Sequence, residues 1–280
     1  MHNTSLADQI TVVDGCLSSS VDARDRGLAY GHGVFETMLL AAGELPLWSY
    51  HRERLGWGLS VLGIPCDDNV IATTLRVLLD TCPTDGVVKL TVTAGISSRG
   101  YTVAEPLVPT IIAQWSPARS FGAIPVSLEI NPYRLPLNPM LAGIKHLNRL
   151  DQVMAASKAA SSSLPLLLDV EGRVIEGLSH NIFAYHSGVW LTPDLSRCGV
   201  AGVMREMLIK EIFPDLGHQV AEAPFEIGVL SSADELFVCN SIRGIQPVSD
   251  IVGVRHFENC PETGRITTQL SRKYPCFTVR

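Results

Sequence analysis

Lysine is scarce in this chain: only Lys89, Lys145, Lys158, Lys210 and Lys273 occur among 22 basic residues. Chemistry that needs an amine therefore has few places to reside. Paired cysteines are missing as well. The seven cysteines (Cys16, Cys66, Cys82, Cys198, Cys239, Cys260 and Cys276) are scattered without a C-x-x-C pair, which argues against a disulfide framework and against a zinc site. No apolar run approaches the roughly 20 residues of a membrane-spanning helix, and the polar stretch 1–14 lacks the basic-then-apolar order of a secretory signal. A cytoplasmic protein with no membrane partner is expected. Excess positive charge is lacking too. A net charge of -6 at pH 7 gives no general attraction for phosphate polymers, so nucleic acid is excluded as a partner and any anionic ligand must be held by a local group of donors.

What is present is enough apolar sequence, 46% of 280 residues, to build a large core, and the pattern suggests two domains. Residues 33–41 are β-rich, 42–44 read as a turn and 45–48 as a partner strand, which predicts a hairpin. Leu55, Leu59 and Leu62, then Val70, Leu75, Leu78 and Leu79, recur at helical spacing. Residues 86–94 (GVVKLTVTA) and 109–114 (PTIIAQ) return to period-two character, so the two helices are expected to pack on one face of an antiparallel sheet. This gives an α+β domain over 1–115, a linker over 116–125 that overlaps the polar WSPARSFGA stretch of 115–123, and a β-rich domain over 126–280. In the latter we expect a strand at 126–130, a Pro-rich loop over 131–139, a helix over 148–161 and several short strands. The histidines lack metal-ligand spacing, and no metal is expected.

Lys145 differs from the other lysines. Lys89 lies in an alternating strand, and Lys158, Lys210 and Lys273 lie on helix surfaces, where a solvated charge is the ordinary reading. Lys145 follows the apolar MLAGI stretch and precedes a new helix. Apolar walls around an amine favour its neutral form, the form that condenses with carbonyls.

The words around this lysine carry a resemblance. The segment 143–153 (GIKHLNRLDQV) resembles the lysine motif of class IV, or fold type IV, pyridoxal-phosphate enzymes, in particular their lyase branch. Five further segments match in order: 24–37 (RDRGLAYGHGVFET), 51–55 (HRERL), 174–183 (VIEGLSHNIF), 199–205 (GVAGVMR) and 235–248 (ELFVCNSIRGIQPV). Together they span almost the whole chain, which makes chance similarity improbable. The resemblance implies a two-domain, mixed α/β fold like that of D-amino acid aminotransferase, with an N-terminal α/β sandwich and a C-terminal β-rich pseudo-barrel. It also implies a homodimer and a cofactor, pyridoxal 5'-phosphate, between the two domains.

The residues that would hold this cofactor follow from the resemblance and from its chemistry. Lys145 bonds the aldehyde. Glu176, between a β-branched pair and a glycine, pairs with the pyridine nitrogen. The phosphate is expected on the amides of Val203 and Met204, where a glycine-containing loop runs into a helix predicted over 203–212, with Arg54 and Ser241 adding donors. Tyr30, Tyr101, Arg99 and Arg149 are substrate-side candidates, with Arg134 and Arg243 as further partners for carboxylates. The implied reaction eliminates pyruvate from an aminated cyclohexadiene to leave 4-aminobenzoate, a step of folate synthesis. Lys145 would remove the first proton, and Lys145 or Thr37 would deliver the last. The alternative is a branched-chain or D-amino-acid transaminase of the same fold. Two departures matter: His32 stands where relatives carry an acid, and Leu150 stands where branched-chain transaminases carry a tyrosine, which leaves the cofactor's ring hydroxyl to Arg149 or water.

Overall fold

The structure, a computed structural model, describes residues 9–98, 100–103, 106–118, 125–160 and 162–278. These fall into two compact units: those within Met1–Ser120 and Ile144–Asn148, and those within Phe121–Gly143 and Arg149–Arg280. Ile144–Asn148 lies inside the span 126–280 but is held in the first unit by backbone bonds, Phe35 N to Lys145 O and Leu147 N to Gly33 O, both 2.9 Å. Of the stretch 116–125, residues 119–124 lie outside the described residues.

The first unit contains β1 (Ile10–Val13), β2 (Cys16–Leu17), α1 (Arg26–Tyr30), β3 (Gly33–Leu40), α2 (Trp48–Val61), α3 (Asp68–Thr81), β4 (Gly86–Thr93) and β5 (Thr110–Pro117). The strands form an antiparallel sheet in the order β2-β1-β5-β4-β3. Alternation turns Val34, Met38 and Leu40, with Val88, Leu90 and Val92, into the core. Leu55 and Leu59 of α2 and Ile71, Leu75 and Leu78 of α3 are buried too, and the two helices pack on β3 and β5. The expected hairpin partner over 45–48 is absent. Pro46 has no N–H to give a ladder, Leu47 is buried as the first residue before α2, and β3 pairs instead with β4 over its full length.

The second unit contains β6 (Val126–Leu135), α4 (Leu150–Ala156), β7 (Leu164–Asp169), β8 (Arg173–Gly177), β9 (Asn181–His186), β10 (Val189–Thr192), α5 (Val203–Met207), α6 (Phe213–Asp215), β11 (Val220–Glu222), β12 (Phe225–Glu226), α7 (Ile227–Ser232), β13 (Glu235–Asn240), β14 (Gly244–Ile251), β15 (Arg255–His256) and α8 (Pro261–Lys273). A mixed sheet runs β11-β10-β9-β13-β14-β6-β7-β8-β12, with β15 on β14. Strand β6 continues through Asn131 and Pro132, which were expected in a loop. A register shift between Ile130 and Arg134 absorbs the proline. A π-helical turn, Leu208–Ile212, joins α5 to α6, so the helix expected over 203–212 starts as predicted but is not α-helical throughout. The helix expected over 148–161 is shorter, Leu150–Ala156. One core cluster includes Leu166, Leu168 and Val174, and another includes Leu167, Ile175 and Cys198.

Candidate active site

In the first unit the site starts from the alternation of β3. Phe35 and Thr37 face one side of the sheet, and Val34, Glu36 and Met38 the other. The Nζ of Lys145 stands 4.5 Å from the centre of the Phe35 ring, a contact made possible because Phe35 N anchors the lysine's own carbonyl. Lys89 Nζ stands 5.2 Å from the same ring and is paired in register with Thr37. Two of the five lysines thus share one aromatic ring, and the plain surface reading of Lys89 misses this.

On the opposite face of β3, Glu36 is 1% exposed. His51 and Arg54, one turn apart on α2, reach it together. Arg54 Nε donates to Glu36 Oε1 at 2.8 Å, Arg54 Nη2 pairs with Oε2, and His51 Nδ1 lies 2.6 Å from Oε2. Burial pushes the Glu36 carboxyl up, but the Arg54 charge and the hydrogen bonds from His51 and Arg54 outweigh it and hold the group at about 2. Burial pushes His51 down against the pull of Glu36, so the ring is neutral near pH 7 and donates from Nδ1. Arg54, expected to face a phosphate, thus commits Nε and Nη2 to Glu36. Neither Glu36 nor His51 was singled out by sequence reading. The signal was an acid at an inward strand position and a histidine three residues before the arginine.

In the second unit β8 carries one residue too many. Leu167 pairs with Glu176 and Leu168 with Val174, leaving Ile175 as a bulge. The bulge turns both Ile175 and Glu176 toward Gly199, where a Cβ would meet Ile175 Cγ2 at 2.7 Å and Glu176 Oε2 at 3.4 Å. Gly199 has φ +84°, a conformation that favours glycine. Glu176 is buried, and its Oε2 accepts from Val200 N at 2.9 Å. Gly143 stitches the same loop from the other side, donating to Gly199 O at 2.9 Å and accepting from Ala201 N at 3.0 Å. Asn181 Nδ2 donates to Val200 O at 2.9 Å, and a Cβ on Gly202 would fall 1.8 Å from Asn181 Oδ1. Helix α5 begins directly after Gly202. The amides of Val203 and Met204 lie in its first turn, where no intrahelical acceptor exists.

Ser241, half-buried, lies in the turn after β13, which Asn240 Oδ1 holds by accepting from Ile242 N and Arg243 N at 3.0 and 2.8 Å. Each unit by itself carries groups of a kind that pyridoxal phosphate can use: in the first an amine against an aromatic ring, in the second a buried carboxylate and first-turn amides behind a loop where a side chain would collide. The residues present fit the group. The family model for class IV amino-transferases matches residues 33–251. The chain belongs to the class IV aminotransferase family.

Within this family the chain is 32% identical to an aminodeoxychorismate lyase of Vibrio harveyi over 92% of its own length and 97% of the relative. It is 31% identical to a putative branched-chain-amino-acid aminotransferase of Methanocaldococcus jannaschii, covering 91% and 90% of the two chains. The crystal structure of 4-amino-4-deoxychorismate lyase from Pseudomonas aeruginosa superposes with a TM-score of 0.87 at 38% identity, over 95% of this chain and 99% of that one. The fold type IV expectation is thereby established, with two units of mixed α/β structure.

Of the substrate-side candidates for a class IV enzyme, Tyr30 and Tyr101 are brought together with ring centres 5.5 Å apart. Arg99 lies outside the described residues. Arg149 is half-buried immediately before α4, and Arg134 and Arg243 are exposed. Among the described residues, no group of three or more His, Cys, Asp or Glu side chains is placed to hold a metal, and no helix is long and apolar enough to cross a membrane.

Proposed function

We propose that this class IV chain is a pyridoxal-phosphate-dependent aminodeoxychorismate lyase, which converts 4-amino-4-deoxychorismate to 4-aminobenzoate and pyruvate in folate synthesis. The observation that carries the enzyme class is Lys145, an amine seated on Phe35 in a chain with four other lysines. The likeness to the Vibrio and Pseudomonas lyases supports the reaction. When bound, the cofactor supplies an aldehyde that bonds amines and a protonated ring that stores an electron pair.

Lys145 would hold the aldehyde, and its amine would take the proton from the substrate carbon that bears nitrogen. Glu176, whose carboxylate accepts from Val200 N, would pair with the pyridine nitrogen and keep it protonated. The amides of Val203 and Met204 and the Ser241 hydroxyl hold the phosphate. Arg54 lends it positive charge while braced by Glu36. The leaving enolpyruvyl group accepts its proton on the methylene carbon from the Lys145 ammonium or from the Thr37 hydroxyl. Aromatisation of the six-membered ring drives the elimination, so the enzyme has mainly to move protons and orient the substrate. Arg99 and Arg149 serve the two substrate carboxylates, with Lys89 added on the strength of its place beside Phe35. Tyr30 and Tyr101 form the aromatic wall. We also place the enzyme in the cytoplasm as a homodimer.

The Methanocaldococcus relative supports a second reading, a branched-chain transaminase. A lyase releases pyruvate and 4-aminobenzoate from aminodeoxychorismate with no keto acid added, and that is the expected result. Turnover that requires a 2-oxo acid acceptor and yields no 4-aminobenzoate selects the transaminase.

A further inference from the structure

We infer that His32 is a positioning residue that acts through Arg26 to seat the backbone around Tyr101. Arg26 opens α1 and is only 3% exposed, yet its hydrogen-bond partners among the described residues are all uncharged. Its Nε donates to His32 Nδ1 at 3.1 Å, its Nη1 to Ser97 Oγ and Gly100 O at 3.0 Å each, and its Nη2 to Tyr101 O at 3.0 Å. The guanidinium carbon stands 4.8 Å from the centre of the Tyr30 ring. Tyr30 Oη accepts from Gly100 N at 3.1 Å. The neighbouring Asp25 is engaged elsewhere, by Gly27 N, Thr93 Oγ1 and Thr110 Oγ1. Tyr101 itself is 87% exposed, so its place is set by these backbone bonds and by Tyr30, with little help from burial.

The histidine tautomer follows from its two partners. A guanidinium only donates, so Nδ1 must accept from it. The Leu62 carbonyl at the end of α2, 3.0 Å from Nε2, only accepts, so Nε2 must carry the proton. These contacts select the neutral Nε2–H ring. The Leu62 carbonyl then aims the imidazole, the imidazole aims Arg26 Nε, and the rigid guanidinium fork carries that orientation to Ser97, Gly100 and Tyr101.

The consequence for the reaction rests on the substrate-side reading of Tyr30 and Tyr101, but the positioning itself can be tested without turnover. Asparagine offers an oxygen near the place of Nδ1, and glutamine an amide nitrogen near the place of Nε2. His32→Asn therefore keeps the acceptor for Arg26, His32→Gln keeps only the donor to Leu62, and His32→Phe keeps neither. In hydrogen–deuterium exchange of the cofactor-loaded protein, the peptide carrying Gly100 and Tyr101 is expected to exchange about tenfold faster in H32Q and H32F, and at the wild-type rate in H32N. The α3 peptide should be unchanged in all of them. In the lyase assay, KM should rise about tenfold in H32Q and H32F with kcat within about twofold, and H32N should restore KM. Equal exchange in all four proteins, or equal acceleration in H32N and H32Q, overturns the role. Where H32F does not fold, H32N against H32Q decides the matter. A wild-type protein without lyase activity would remove the proposed reaction and leave the exchange result to judge His32 alone.

Discussion

Glu36 occupies a strand position whose neighbours on the same face, Val34 and Met38, are core residues. A carboxylate survives there because the Arg54 charge and the hydrogen bonds from Arg54 and His51 offset its desolvation. Glu36→Gln leaves the Arg54 guanidinium buried without its counter-charge. It is expected to cost about 3–5 kcal/mol in urea unfolding, whereas an isolated surface ion pair is worth under about 1. Lys145→Ala should do the reverse. Stability is expected to stay within about 1 kcal/mol of wild type, while turnover falls by at least about 10²–10⁴-fold with loss of the proton-transferring amine. Borohydride reduction and peptide mapping should label Lys145 in the wild type and nothing in the variant, and a label on another lysine would sink the assignment. Lys145 was legible because lysines are few and its neighbours are distinctive. Lys89 was not, since an alternating strand says which face a residue takes but not which ring lies there.

At the scale of elements, the loop Gly199–Gly202 is the part that local sequence specified least. Its shape depends on the bulge at Ile175 and on bonds from Gly143 and Asn181, residues that are remote in the chain. Gly202→Ala would drive a methyl against Asn181 Oδ1. Asn181 is buried and cannot swing away without giving up its bond to Val200 O. The variant is expected to bind pyridoxal phosphate at least about tenfold more weakly in equilibrium dialysis, a loss of about 1.4 kcal/mol. Affinity equal to wild type would show that this loop does not hold the phosphate. The helices α2 and α3 and the strands β3, β4 and β5 were readable from periodicity. The hairpin partner at 45–48 was not, because β3 takes its partner, β4, from beyond two helices.

For the whole molecule, acid should be the weak flank of stability. Burial, together with the Arg243 charge, holds His180 down at about 4, and Glu36 is held at about 2. Both groups bind protons more readily when the chain unfolds, so stability rises with pH across each window. The His180 contribution is full above about 6.5, the unfolded value, and is lost as pH falls toward 4, with a ceiling of about 3 kcal/mol. The Glu36 contribution is lost from about 4.5 downward. Thermal midpoints between pH 7 and 4 should fall in the wild type and fall less in His180→Gln. Parallel curves would show that His180 is not the group responsible.

The sequence alone determined the family, because six short segments in fixed order carry it, and it determined many of the strands and the helices α2 and α3, because burial on one face imposes a period. Only the tertiary structure decided that Ile144–Asn148 is held in the first unit, that Arg54 braces Glu36, and that β8 bulges to aim Glu176. Those outcomes depend on hydrogen bonds and ion pairs between residues far apart in the chain, and no local pattern encodes a partner at a distance.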